Sequence, residues 1–363
     1  MYAFPITGHK NILATHPTTI EFTTAKEVTP AGDCIAGVNA VFAKEKAMHE
    51  LAYPKVEVTV QVARKSFSFY ATPHKQFSDV GEIVFRKGDF LSQRTIGTCA
   101  SRAAGDMPRE IVRALQREEK GRVSIRGIPL QYLLFDFDDT LCDFHAAREH
   151  CHKKIGALLA KKYHVAEERC RALLDAADLQ FPKKASATNN VTLFDRHIWF
   201  AWIVGKIQKK ISPAECNEWV KKYWDCMIEK SFAFAGAAEV LQQFSRKYTL
   251  GLLTDADGKK EYKHIRIEKS GLQQFFTAMT LGDELHMVKP HHALFHDLLQ
   301  KLHAAPEQCV MVGDKPWADL LPAKKMGMMT VWMKHGVYAK QMKDTPQYVD
   351  YCITSMKELR GLF

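Results

Sequence analysis

The apolar run Tyr132-Leu133-Leu134-Phe135 ends in Asp136-Phe137-Asp138-Asp139-Thr140. Crowding carboxylates at the end of a buried strand is costly unless a cation or a shared proton offsets their charge. Residues two apart on a strand share a face, so Asp136 and Asp138 can address one ligand. Other reactive residues stand at comparable places. Thr254 ends an apolar run and precedes Asp255-Ala256-Asp257-Gly258, Lys289 precedes Pro290, and Gly313-Asp314 ends another run with Asp319 shortly beyond. A nucleophile or acid–base pair, a hydroxyl donor, an ammonium group and cation-binding carboxylates are all on offer.

Positioning them requires a sheet. Short apolar segments at 132–135, 249–254, 309–314 and 329–333 read as strands, and helical pattern separates them. That alternation predicts an α/β fold, a Rossmann-like doubly wound parallel sheet, whose ligand sites lie at the carboxyl ends of the strands. The stretch between Asp136 and Thr254 far exceeds a simple crossover. Helical patterns at 145–163, 166–177, 194–209 and 213–230 predict a helical cap over about 145–232, broken at the Lys-, Ser- and Asn-rich segment 181–190. Trp199 to Ile203 reads as cap core and Arg196 as a solvent-exposed helix charge. His145, His150, His152, His292 and His296 read as surface residues, and Cys142 as an inert small side chain.

These residues resemble the haloacid dehalogenase superfamily of aspartate-nucleophile phosphohydrolases, over about residues 130–363. The resemblance implies that Asp136 attacks phosphorus and that Asp138 serves as acid and then base. Thr254 would donate to a phosphate oxygen and Lys289 would anchor nucleophile and phosphate. It implies Mg²⁺ held by Asp136, the Asp138 carbonyl and Asp314, with Asp319 orienting Asp314, Lys289 or metal-bound water. Two positions depart from the usual pattern: Asp255-Ala256 replaces the frequent Asn-Gly, and Pro322 stands where glycine is usual, at a site where a first helical turn tolerates proline. A helical cap implies a small phosphorylated metabolite of the sugar-phosphate or nucleotide class. A phosphomutase would use the same covalent chemistry.

Residues 1–126 form a separate region, predicted to be a smaller α+β domain. Thr7-Gly8-His9-Lys10 is echoed by Thr72-Pro73-His74-Lys75, Ile20-Glu21-Phe22 by Ile83-Val84-Phe85, and the segment from Ile35 by the one from Ile96. A helical pattern follows each set, so two β-β-α units are expected as an internal repeat. Gly8-His9-Lys10-Asn11, Ala14 to Thr19, Gly32 to Val38 and Glu82 to Phe90 resemble an uncharacterised domain family found mainly in archaea, which implies an archaeal source but lends no activity. His9, His16, Asp33, Arg86, Lys87 and Arg94 are its candidate anion or metal site, against an equal reading as turn-capping groups.

The formal charge of +10 raises nucleic acid as a partner. It is spread evenly, however: residues 1–128 carry 18 Lys/Arg against 13 Asp/Glu. A binding protein led by the first domain is therefore the rival from another class. Nine cysteines without a C-x-x-C pair favour free thiols in a reducing compartment. With no signal-peptide pattern and no apolar run of about 20 residues, a cytoplasmic protein without membrane partners is expected. Oligomeric state is not encoded in these patterns.

Overall fold

A computed structural model describes residues 1–79, 81–342 and 344–363, without the side chain of 337. The chain divides into two compact units, Met1–Leu130 and Gln131–Phe363.

The first unit carries eight strands: β1 (Tyr2–Thr7), β2 (Thr19–Thr23), β3 (Ile35–Gly37), β4 (Lys55–Val62), β5 (Lys65–Pro73), β6 (Glu82–Arg86), β7 (Thr95–Thr98) and β8 (Lys120–Ile128). Helix α1 (Lys44–Leu51) precedes β4 and α2 (Arg109–Gln116) precedes β8. The sheet order is β1-β8-β4-β5-β7-β6-β2-β3, and Thr7 bridges Val38 to join its two ends. The echoed segments are geometric counterparts. β2 and β6 pair antiparallel, with Ile20 opposite Phe85 and Phe22 opposite Ile83. β3 and β7 flank them in parallel, and each pairing carries a register shift at the matching place. The repeat is larger than the β-β-α unit expected. β1 and β5 precede the echoed strands and β4 and β8 follow the helices, giving β-β-β-α-β twice. The added strands escaped detection because their sequences share only alternation, as in Val56, Val58, Val60 and Val62 of β4, all buried.

The second unit contains the expected parallel sheet. Its strands are β9 (Tyr132–Phe135), β10 (Thr249–Thr254), β11 (Ala278–Leu281), β12 (Cys309–Gly313), β13 (Met329–Met333) and β14 (Tyr351–Ile353), in the order β11-β10-β9-β12-β13-β14. β9, β10, β12 and β13 are apolar along nearly their whole length because helices cover both faces. The chain runs outward from β9 through β10 to β11, then resumes on the other side with β12. The switch leaves a crevice at the carboxyl end of β9.

Helices α3 (Phe144–Tyr163), α4 (Glu167–Thr188), α5 (Arg196–Lys206) and α6 (Pro213–Lys230) form the inserted bundle, packed around Trp199, Phe200, Trp219, Tyr223 and Trp224. The expected break at 181–190 is not there. α4 continues through Pro182 and stops at Asn189, whose left-handed φ of 48° ends it. Proline removes one backbone donor, but Phe181 stacked on Trp199 ties the helix to the bundle, and the buried Ala185 packs with Phe194, Ala256 and Val288. The chain returns through α7 (Ala237–Phe244) to β10, and α8 (Lys260–Lys269) follows it.

Gly8 is held by contact. A Cβ there would lie 2.0 Å from the Leu115 carbonyl oxygen at the end of α2. Gly8→Ala should therefore cost roughly 1–3 kcal/mol by overpacking. Faster amide hydrogen exchange in β1 and α2 of the full chain is the expected readout.

Candidate active site

β10 and β12 flank β9 in parallel with level ends: Phe135 pairs with Leu252 on one side and Val312 on the other. The residues just beyond these strands consequently meet. Asp136 donates its backbone N–H to the Val312 carbonyl at 2.9 Å. Its Oδ1 accepts from Lys289 Nζ at 2.6 Å, and its Oδ2 accepts from the Thr140 hydroxyl at 3.2 Å. The same ammonium group donates to Asp319 Oδ1 at 2.6 Å and to the Leu253 carbonyl at 3.4 Å. Asp319 Oδ2 in turn accepts the Lys315 backbone N–H at 3.0 Å. A Cβ on Gly313 would lie 2.6 Å from the Asp319 carboxylate, so the glycine of Gly313-Asp314 makes room for this approach.

Oxygens of Asp136, Asp314 and Asp319 lie within 4.8 Å of one another, and all three residues are buried. Burial pushes the Asp314 carboxyl well above the usual range, and the neighbouring charges of Asp136 and Asp319 add to the effect. Burial likewise raises Asp319, to about 6, against the opposing pull of Lys289. Lys289 is held protonated despite its burial because Asp136 and Asp319 face it. Two buried polar atoms here find no partner among the described residues: the Thr254 hydroxyl and Asp314 Oδ1. Unmet hydrogen-bonding capacity of this kind marks a place for a ligand or water. Asp314 Oδ1 beside two further carboxylates suits a hard divalent cation, and the Thr254 hydroxyl suits a phosphate oxygen.

Asp138 stands apart from this cluster. Its carboxylate is gripped by α8: Lys263 Nζ donates to Oδ2 at 2.5 Å, and the Arg266 guanidinium donates to both oxygens. Burial opposes ionisation, but these two cations outweigh it and hold Asp138 far below the usual carboxylate range. Asp139 has a structural task. Its left-handed backbone turns the chain and its Oδ1 accepts the His145 N–H at 2.8 Å, helping Asp143 to cap α3.

Three cations were missed in the sequence. Lys263 and Arg266 lie three apart on α8, hence on one face, directly after the Thr254 loop, and that spacing was the available signal. Lys315 follows Asp314. Burial would lower its pKa, yet Asp314 and Asp136 raise it well above the usual range.

Other assignments shift. Arg196 is buried, not exposed: its guanidinium lies 3.7 Å from the Trp199 ring centroid, and one N–H donates to the Phe194 carbonyl at 2.6 Å. His152 is fully buried against Asp175, with Nδ1 at 2.7 Å from the carboxylate. His292 and His296 make an edge contact on their helix, and no metal-ligating cluster includes them among the described residues. Cys142 is buried, and burial pushes its thiol up to about 12.

The six candidates in the first unit each make local contacts. His9 meets Glu27 at 3.0 Å, and His16 Nδ1 accepts backbone N–H groups of Thr18 and Thr19. The Asp33 carbonyl accepts from Thr15 and His16. Arg86 donates to Thr95 at 3.2 Å, Lys87 pairs with Asp106 at 2.7 Å, and Arg94 pairs with Glu82.

Comparison with known proteins bears on this architecture. Residues 133–333 match the haloacid dehalogenase-like hydrolases, and residues 4–128 match a domain of unknown function, DUF371. The chain belongs to the haloacid dehalogenase-like hydrolase family, joined to that amino-terminal domain. It is 26% identical over 237 residues to a glyceraldehyde 3-phosphate phosphatase of Pyrococcus furiosus, covering 63% of this chain and 91% of the relative. It is 25% identical over 234 residues to human N-acylneuraminate-9-phosphatase, covering 63% and 92%. The magnesium-bound HAD-hydrolase YfnB of Bacillus subtilis superposes with a TM-score of 0.53 at 18% identity, covering 64% of this chain and 98% of that one, a likeness of fold. The family is one of hydrolases, and both of these relatives are phosphatases.

Lys289 pairs directly with both Asp136 and Asp319, and removing one partner of a buried ion pair costs about 3–5 kcal/mol. Lys289→Met should lower stability by that amount at neutral pH, as measured by urea unfolding. Lys289→Met in an Asp319→Asn background should recover part of it.

Proposed function

We propose that residues 131–363 hydrolyse a small sugar phosphate through a covalent intermediate on Asp136, with the α3–α6 bundle as cap. The observation that carries this reading is the Lys289 bridge between Asp136 and Asp319, with the unpartnered Thr254 hydroxyl and Asp314 Oδ1 close by. The phosphatase relatives support the substrate class.

In this reading Lys289 and the Thr254 hydroxyl draw the phosphate oxygens toward Asp136. An Asp136 carboxylate oxygen attacks phosphorus and the bond to the leaving oxygen breaks; Asp138, having exchanged its Lys263 and Arg266 contacts for a proton from water, gives that proton to the departing alkoxide. Water then attacks the aspartyl-phosphate. Asp138 takes the water proton, the phosphorus–Oδ bond breaks, and the Asp136 carboxylate is restored beside inorganic phosphate. Asp319 keeps Lys289 pointed at Asp136 throughout. Asp136, the Asp138 carbonyl and Asp314 would hold Mg²⁺, which when bound would supply positive charge against the anionic phosphate. The cap limits access to small esters and excludes water from the first step.

Asp136→Asn should abolish turnover of a panel of sugar phosphates in the presence of Mg²⁺, by at least about a thousandfold on the scale of nucleophile removal. Wild-type rates in that variant would sink the assignment.

The raised carboxyls set a pH dependence. The elevated pKa of Asp314 means a proton must leave before it can ligate a cation, so affinity for Mg²⁺ should rise with pH. Calorimetry in buffers of different ionisation enthalpy should show proton release on binding and weaker binding at pH 5.5 than at pH 7.5. A flat profile would count against Asp314 as a ligand.

A further inference from the structure

The carboxylate of the proposed acid–base group is already engaged by two cations. Asp138, half-buried, forms a quartet with the buried Asp257, Lys263 and Arg266. Lys263 Nζ lies 2.5 Å from Asp138 and 3.1 Å from Asp257, and Arg266 donates to Asp257 at 2.9 and 3.1 Å as well as to Asp138. Both cationic side chains are fully buried. The Arg266 carbon lies 4.9 Å from the Phe144 ring centroid and 5.6 Å from that of Phe137, so aromatic faces confine it further.

The quartet is also tied to the cap. Arg266 Nε donates to the Ser231 hydroxyl at 3.1 Å, and that hydroxyl donates to the Met227 carbonyl at 2.8 Å. Ser231 directly follows α6, the last cap helix. The entry and exit of the cap run side by side here, with Cys142 bridged to Ala233 and the Asp143 N–H donating to the Phe232 carbonyl at 3.0 Å. One guanidinium therefore touches both the acid and the cap hinge.

The geometry points to Lys263 and Arg266 as positioning residues that latch Asp138 in the resting enzyme and release it toward the leaving oxygen as the hinge at Ser231 moves. The inference rests on the reading of Asp138 as the acid. Donation then requires breaking the Lys263 and Arg266 contacts and taking up a proton from water. Loosening the latch lowers that requirement only where the leaving group needs a proton. An alkoxide needs one and p-nitrophenolate does not, so leaving-group dependence isolates the effect from general damage to the fold.

The experiment compares single-turnover rates on an alkyl phosphate and on p-nitrophenyl phosphate, with Mg²⁺, in the full chain. The variants are Lys263→Met, Ser231→Ala and Asp138→Asn. Asp138→Asn should lose about a hundredfold on the alkyl ester, at the low end of general-acid contributions, and far less on the nitrophenyl ester. Lys263→Met should raise the alkyl-to-nitrophenyl rate ratio at least threefold. Ser231→Ala, which leaves the buried charges in place, should raise it in the same direction and serves if Lys263→Met fails to fold. A ratio that stays constant or falls in the folded variants, while Asp138→Asn shows its selective loss, overturns the latch and leaves the acid assignment standing. An Asp138→Asn protein with an unchanged ratio overturns both.

Discussion

One ammonium group, Lys289, organises the second unit. Asp136 and Asp319 come from opposite flanks of the sheet's switch point, and each would be an unpaired buried anion without it. Burying such a carboxylate alone costs several kcal/mol even after relaxation. The parallel register that levels the ends of β9, β10 and β12 brings these groups within reach of one cation. The close approach of Asp319 then requires a glycine at 313. The constraint thus runs from a charge balance to a strand register and to a single residue without a side chain.

Much of this was legible because the chemistry leaves few choices of residue. A carboxylate after a buried strand, a threonine ending the next and Gly-Asp ending a third are readable at a distance in the chain. The company Asp138 keeps was not. Its partners come from α8, whose lysine and arginine look like surface charges until the helix is docked. Arg196 and His152 misled for the same reason: helical spacing tells which residues share a face, not which face is buried. In the cap the aromatic side chains of Trp199, Tyr223 and Trp224 surround the Arg196 guanidinium and offset part of its desolvation.

The first unit shows the opposite balance. Echoes of three or four residues were enough to find a repeat because they fall where two copies meet across the β2–β6 pair. There Phe22 and Phe85, and Gly37 and Gly97, occupy equivalent places. Strands β1, β4, β5 and β8 obey only alternation, which many sequences satisfy, so the extent of the unit was hidden. Its cations illustrate why net charge is a poor guide to a partner. Lys65, Lys87, Arg94 and Arg126 each meet a carboxylate within the unit, which leaves no concentrated basic surface built from them.

The two buried charge clusters of the second unit differ in a way that identifies the one awaiting a ligand. Around Asp138 the count is balanced: Asp138 and Asp257 against Lys263 and Arg266. None of these side-chain atoms lacks a partner among the described residues. Around Asp136 the acids outnumber the cations. Asp136, Asp314 and Asp319 are gathered with Lys289 in direct contact and Lys315 nearby, and Asp139 adds further negative charge. A balanced cluster needs no ligand to offset its charges. An acid-rich cluster must keep a proton or take up a cation, and here the excess appears as a raised Asp314 carboxyl with one oxygen unpartnered. Neighbouring buried acids of similar sequence spacing therefore take different roles because of the cations that α8 and the Lys289 loop bring to them.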